Sequence, residues 1–205
     1  PKALFEIGNQ TVLDIIIKKV EKLNPEKIYI ITNNKFHQQF LAWKKNKNIT
    51  LINNGTNSNE ERLGSIGDIN FLIKKENISD DLLIIGGDNL FDFSLSGVYD
   101  KFMSEKKSFL ITTRVQALED AKKYNHIEID KNNKVIFFKE KPENPTSTFV
   151  GTFIYFFKKE SIGLIQKYLD EGNNPDKAGF LIEYLYKKIP IHAYSAKGKW
   201  FDIGS

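Results

Sequence analysis

The 205-residue sequence contains no cysteine, and its histidines number only three. Without cysteine there are no disulfides, no thiolate nucleophile and no cysteine-ligated metal. His37, His126 and His192 have no ligand spacing, so an imidazole metal centre finds no support. No apolar run approaches the ~20 residues that a membrane-spanning helix needs, and no stretch has the layout of a signal peptide. A soluble, cytoplasmic protein is the expectation. No G-x-G-x-x-G follows a first strand, which argues against a dinucleotide-binding domain. An excess of one charge is also missing. The 30 basic and 26 acidic residues leave +4, and the lysines scatter over helix ends and polar loops. Solvated faces account for them better than a nucleic-acid track does. Neither nucleic acid nor a membrane is expected as a partner, and self-association stays open.

What is present is the composition of a globular domain: 40% of residues are apolar and 13% aromatic, enough to fill a core at this length. With no repeat, linker or composition break, residues 1–205 form one domain. Gly8-Asn9 marks a turn, and Thr11 is placed to cap a helix over 12–23 whose apolar residues share one face. Strands over 27–32 and 49–52 flank a helix over 36–44. A polar loop over 53–62 runs into Leu63-Gly64-Ser65-Ile66-Gly67 and a helix from about 68 to 75. This alternation predicts an α/β fold, a Rossmann-like, mostly parallel sheet with right-handed helical crossovers. The second half changes rhythm. It predicts a helix over 95–105, a strand over 109–114, a hairpin from 127–129 and 135–138, and a long strand over 149–157. Helices over 161–169 and 180–187 and a strand over 191–195 follow. The core thus carries a small antiparallel extension.

The organising stretch is 82–92, LLIIGGDNLFD. An aliphatic run of this kind suits a strand buried on both faces, and Gly86-Gly87 permits a sharp turn. Asp88 then falls at the carboxyl end of that strand, where open α/β sheets bind their ligands. The competing role is a turn aspartate bonded to local backbone N–H groups.

Further short signals accompany it in order: Pro1-Lys2 before Leu4, Leu63 to Gly67, Gly86-Gly87-Asp88-Asn89, Glu140-Lys141-Pro142, and Trp200-Phe201-Asp202-Ile203-Gly204. Each alone is weak. Their order along nearly the whole chain resembles the sugar-1-phosphate nucleotidyltransferases, the nucleoside-diphosphate-sugar pyrophosphorylases that include glucose-1-phosphate thymidylyltransferases. The resemblance implies a nucleoside triphosphate and a sugar-1-phosphate as substrates, Mg²⁺ as cofactor, and activated sugars for surface polysaccharide as product. By the same resemblance Asp88 and Asp202 match the metal-binding aspartates. Lys2 matches a phosphate-contacting lysine, and Lys141 the lysine that holds the sugar phosphate. Glu140 matches the group that bonds sugar hydroxyls, Gly151 the glycine beside the sugar, and Gly64 the backbone approached by the nucleotide. Asn59 is the candidate base reader. Plainer roles stay open: a cap for Asp202, a terminal residue for Lys2, and a solvated charge pair for Glu140 and Lys141.

The sequence also departs from the family. Phe5-Glu6 stands where a proline is usual, and Asn125 where a glycine follows the tyrosine. The glycine-rich loop with its arginine, expected about a dozen residues before Lys2, does not occur, nor does the first strand. The expectation is a remaining part of a longer enzyme, lacking also its C-terminal end, that is inactive and poorly soluble alone. Two rivals remain: cytidylyl transfer to phosphocholine, with Tyr155, Phe157 and Tyr184 as a candidate cage for the quaternary ammonium, and a non-catalytic nucleotide- or sugar-phosphate-binding module.

Overall fold

The computed structural model describes residues 1–203; Gly204, the last residue of the Trp200 motif, lies outside the described residues. The chain enters through a 3₁₀ turn, Lys2–Leu4, and a small hairpin of β1 (Glu6–Ile7) and β2 (Gln10–Thr11). Gly8 makes that turn at φ 63°, a conformation that favours glycine. Helix α1 (Val12–Glu21) begins with a reciprocal cap: Thr11 Oγ1 accepts from the Asp14 N–H at 3.1 Å, and Asp14 Oδ2 accepts from the Thr11 N–H at 2.9 Å. The Trp43 indole N–H reaches both partners, at 3.1 Å to Thr11 Oγ1 and 3.2 Å to Asp14 Oδ1. The cap therefore also docks α2 (Asn34–Lys44), which lies between the parallel strands β3 (Tyr29–Thr32) and β4 (Thr50–Asn53).

After α3 (Gly64–Glu76) come β5 (Leu82–Ile85), β6 (Asn89–Phe91), α4 (Ser96–Glu105), β7 (Ser108–Arg114) and a short helix, α5 (Leu118–Ala121). The hairpin β8 (Asn125–Ile129) and β9 (Val135–Glu140) precedes β10 (Phe149–Phe157), α6 (Ile162–Asp170), α7 (Ala178–Leu185), β11 (Ile191–Ser195) and β12 (Trp200–Asp202). The main sheet has the order β11-β7-β10-β5, with β11 and β7 parallel and β10 antiparallel to both neighbours. The fold is mixed α/β, with helices on both faces of this sheet.

Alternation along β10 shows how the faces are filled. Tyr155 and Phe157 point into a cluster with α3, α6 and α7, and Ile154 and Phe156 into one with α1 and α4. Helix α1 serves two layers. Val12 and Ile16 face the sheet, whereas Leu13 and Ile17 face Phe40 and Ile49 beside β3 and β4.

Two sequence expectations need correction. Residues 82–85 do pack against apolar clusters on both faces of the sheet, yet each is half-buried and not fully buried as expected. Among the described residues β10 is the sole ladder partner of β5, so one edge of the strand stays open. The helix expected from about 68 begins at Gly64, so the Leu63–Gly67 segment is not a loop but its first turn.

Because the Thr11 cap is shared by two helices, Thr11→Ala is expected to lower unfolding free energy by about 1–2 kcal/mol. Urea denaturation checks this, and Thr11→Ser, which keeps the oxygen, should recover most of the loss.

Candidate active site

Beyond the end of β5 lies a cavity of about 660 Å³. The Gly86-Gly87-Asp88-Asn89 turn forms one wall. A side chain at Gly86 would collide with Phe153 and with the Asn89 and Asp88 side chains, which explains the glycine there. Asn89 is only 3% exposed, and both ends of its carboxamide are hydrogen-bonded. Its Nδ2 donates to Asp88 Oδ1 at 3.0 Å, and its Oδ1 accepts from the Trp200 indole at 2.8 Å and from the Phe153 N–H at 3.3 Å. This residue orients Asp88 and ties β6 to β12. The antiparallel β6–β12 register sets Asp202 opposite Asn89, and the Ile203 N–H donates to the Asp88 carbonyl at 3.0 Å. Asp88, in the turn before β6, and Asp202, on β12, thus border the same cavity.

The β8–β9 hairpin supplies another wall. Glu140 ends β9 opposite Asn125, and the Lys141 N–H donates to the Tyr124 carbonyl at 2.8 Å. Lys141 itself has φ 47°, a left-handed conformation costing about 1–3 kcal/mol in a residue other than glycine. The Glu140 carboxylate lies against Gly179 in the first turn of α7, where a side chain would overlap it. Burial pushes the Glu140 carboxyl up to about 7, against the pull of Lys141 and Lys177 and with a smaller push from Glu183. Lys2, exposed on its 3₁₀ turn, and Gly151 on β10 complete the sequence-derived set at the cavity.

Asn59 and Gly64 are not among the residues lining it. Asn59 is exposed in the loop before α3. Gly64, at φ 78°, is covered by the backbone of Pro175 and Asp176, which leaves no room for a Cβ. The Ile66 N–H donates to the Pro175 carbonyl at 2.8 Å and Ser65 Oγ to the Asp176 carbonyl at 2.7 Å. The first turn of α3 is therefore satisfied by protein, and Ser65 is what reaches the cavity.

Sequence reasoning missed Lys123 and Lys177 as lining residues, and it named Asn89 within a motif and Asn125 as a departure from a glycine without giving either a role. Lys177 did carry a signal, since Pro175-Asp176-Lys177 before an apolar run marks a helix start. The suggested aromatic cage is not formed. Phe157 and Tyr184 pack in the core beside α6 and α7 away from the cavity, and Tyr155, which touches it, is 3% exposed.

A site with three aspartates, several ammonium groups and a half-buried glutamic acid suits a polyanionic ligand accompanied by a metal ion. Among the described residues no group of three or more His, Asp or Glu could hold a metal by protein ligands alone. Two aspartates nonetheless fit Mg²⁺, which takes one or two carboxylates and completes its octahedron with water and phosphate oxygens.

Residues 1–205 match the family described as Nucleotidyl transferase, and the chain belongs to it. It is 26% identical over 204 residues to the Bifunctional protein GlmU of Methanocaldococcus jannaschii, covering 100% of this chain and 46% of that protein. It is 29% identical over 126 residues to the Glucose-1-phosphate adenylyltransferase of Mycoplasma mobile, covering 60% of this chain and 33% of that protein. The chain thus matches less than half the length of either relative. Its fold is similar to that of a UDP-glucose pyrophosphorylase solved with UDP-glucose, with a TM-score of 0.79, 16% identity, and coverage of 100% of this chain and 86% of that one.

The raised Glu140 value gives a pH test. Between its ordinary value of 4.5 and about 7 the folded protein holds a proton that the unfolded chain has released. This group's stabilisation is complete below about pH 4.5 and disappears as pH rises to about 7. Glu140→Gln, neutral at all pH, is expected to be more stable than the parent at pH 8 by on the order of 1–3 kcal/mol, with the gap closing by pH 4.5. Thermal melts at the two pH values measure it; equal gaps at both would mean that the carboxyl titrates normally.

Proposed function

We propose that this chain carries the catalytic cleft of a sugar-1-phosphate nucleotidyltransferase, joining a nucleoside triphosphate to a sugar-1-phosphate to give an NDP-sugar and pyrophosphate. The observation that carries the reading is that Asp88, Asp202, Glu140 and Lys141, scattered along the chain, border one cavity. In the reaction a phosphate oxygen of the sugar-1-phosphate attacks the α-phosphorus. The bond from that phosphorus to the bridging oxygen breaks, and pyrophosphate leaves with the electron pair. The substrate supplies the nucleophile, so a chain without cysteine loses nothing. The protein's task is to position two polyanions and to offset their charge.

In this reading Lys141 and Lys177 hold the sugar phosphate as point charges, and Glu140 bonds a sugar hydroxyl. The protonated Glu140 carboxyl can donate, and the ionised one accepts. Lys2 serves the triphosphate. Asp88, oriented by Asn89, and Asp202 would hold Mg²⁺, whose contribution is to neutralise charge on the transferring phosphoryl group. Asn59 and Gly64 have no part in the proposal.

The test is pyrophosphate release by the intact protein across a panel of triphosphates and sugar-1-phosphates. Release with at least one pair is expected, and none with phosphocholine and CTP; binding without release would favour a sensing module. Asp88→Asn and Asp202→Asn are each expected to reduce kcat at least about 100-fold while thermal stability is kept, because charge is lost and shape retained. Turnover near the parent level at limiting Mg²⁺ would remove that aspartate from the metal site.

Lys141→Ala is expected to raise KM for the sugar-1-phosphate about tenfold or more with little change for the triphosphate, since one charge-assisted hydrogen bond disappears. The reverse pattern in steady-state kinetics would exchange the two phosphate subsites.

A further inference from the structure

The β8–β9 hairpin is a separate two-stranded sheet, yet its end bears Glu140 and leads into Lys141. At its turn it is fastened to the main sheet by the Ala193 N–H, which donates to the Asn133 carbonyl at 2.7 Å. At the opposite end, beside the cavity, the fastening comes from a side chain. Asn125 Nδ2 donates to the Gly151 carbonyl at 3.0 Å, and the Gly151 N–H donates to Asn125 Oδ1 at 2.7 Å. Asn125 is 7% exposed and pairs across the ladder with Glu140. Gly151 lies where the β10 ladder to β7 is irregular, so its backbone groups turn to a side chain. A Cβ at Gly151 would come within 3.0 Å of the methyl groups of Ile127 and Leu110, which keeps the β10 backbone close to β8.

We infer that Asn125 is a positioning residue: its carboxamide, locked on both polar groups of Gly151, sets where Glu140 and Lys141 stand relative to the sheet that ends in Asp88. The inference deepens the reading above and rests on it for the identity of the substrate. The clamp has a second consequence. With its N–H and C=O both engaged by Asn125, Gly151 serves as a packed wall of the acceptor subsite, and recognition of the sugar phosphate falls to side chains of the hairpin and the α7 turn. An unpaired polar group in this buried place would be costly, so the clamp is kept closed. A displacement of about 1 Å at a reacting group can cost 100-fold in rate, which is the leverage a joint of this kind has over the site.

The experiment compares the intact protein with its Asn125→Ala and Asn125→Asp variants. The first opens both hydrogen bonds. The second keeps the shape and the bond from the Gly151 N–H, but sets an oxygen against the Gly151 carbonyl, and it carries the test if the alanine variant does not fold. Hydrogen exchange is expected to accelerate at least about tenfold in β8 and the end of β9, with β7 and β11 unchanged. In kinetics, KM for the sugar-1-phosphate is expected to rise at least about tenfold, with KM for the triphosphate within about twofold. A drop in melting temperature with an unchanged ratio of the two KM values would show a merely structural asparagine and overturn the proposal, as would unchanged hairpin exchange. If the parent protein releases no pyrophosphate with any substrate pair, the functional reading fails. The exchange measurement still decides whether Asn125 holds the hairpin.

Discussion

Buried backbone groups must find partners, and the site depends on how one strand meets that demand where its ladder breaks. Between Gly151 and Tyr155 the register of β10 against β7 shifts. Side chains satisfy much of the irregular segment. Asn125 takes both groups of Gly151, Asn89 accepts from the Phe153 N–H, and the Thr152 hydroxyl donates to the Ile111 carbonyl. The pieces thereby recruited are the ones that carry charge into the cavity: the Glu140 hairpin through Asn125, and the Asp88 turn and the Asp202 strand through Asn89. A regular strand here would have no such attachment points.

The same region gives up some stability. Lys141 occupies a left-handed backbone conformation, and Glu140 is held where its charged form is disfavoured. Well-packed helices bear these costs. Each large apolar side chain buried completely, such as Phe157 or Leu181, contributes about 1.5–3 kcal/mol. A half-buried carboxyl whose charged form is disfavoured, set beside a cavity, is the kind of group expected at a site that performs chemistry.

Much of this architecture was legible in the sequence, for reasons that can be named. The run at 149–157 is dense in β-branched and aromatic residues, and β10 spans it residue for residue. Thr11 announces α1 by local chemistry alone, and Asp14 completes its cap in the structure. Asp88 was recognisable from its place after a predicted strand, but Asp202, Glu140 and Lys141 were found through resemblance, because nothing in their spacing brings them together. What stayed hidden depends on distant partners. Strands β6 and β12 have three residues each, too few for any periodicity, and exist by pairing with each other. Gly64 belongs to a segment that looks like a loop, but carbonyls from Pro175 and Asp176 cover it and meet the first amides of α3. A buried asparagine leaves no pattern at all, so Asn89 and Asn125 could be valued only once their partners were visible.

The pairing of Asn89 with Trp200 also sets a schedule. These residues are 111 positions apart in the chain. At the usual pace of synthesis, about 5–20 residues per second, the ribosome needs roughly 6–22 seconds after making the first to make the second. Throughout that interval the Gly86–Asn89 turn lacks the strand that completes it, and β5 waits for β10 to emerge. Pairing between β5 and β10 is likewise delayed by seconds in newborn chains, an interval in which incompletely paired strands favour capture of one chain by another.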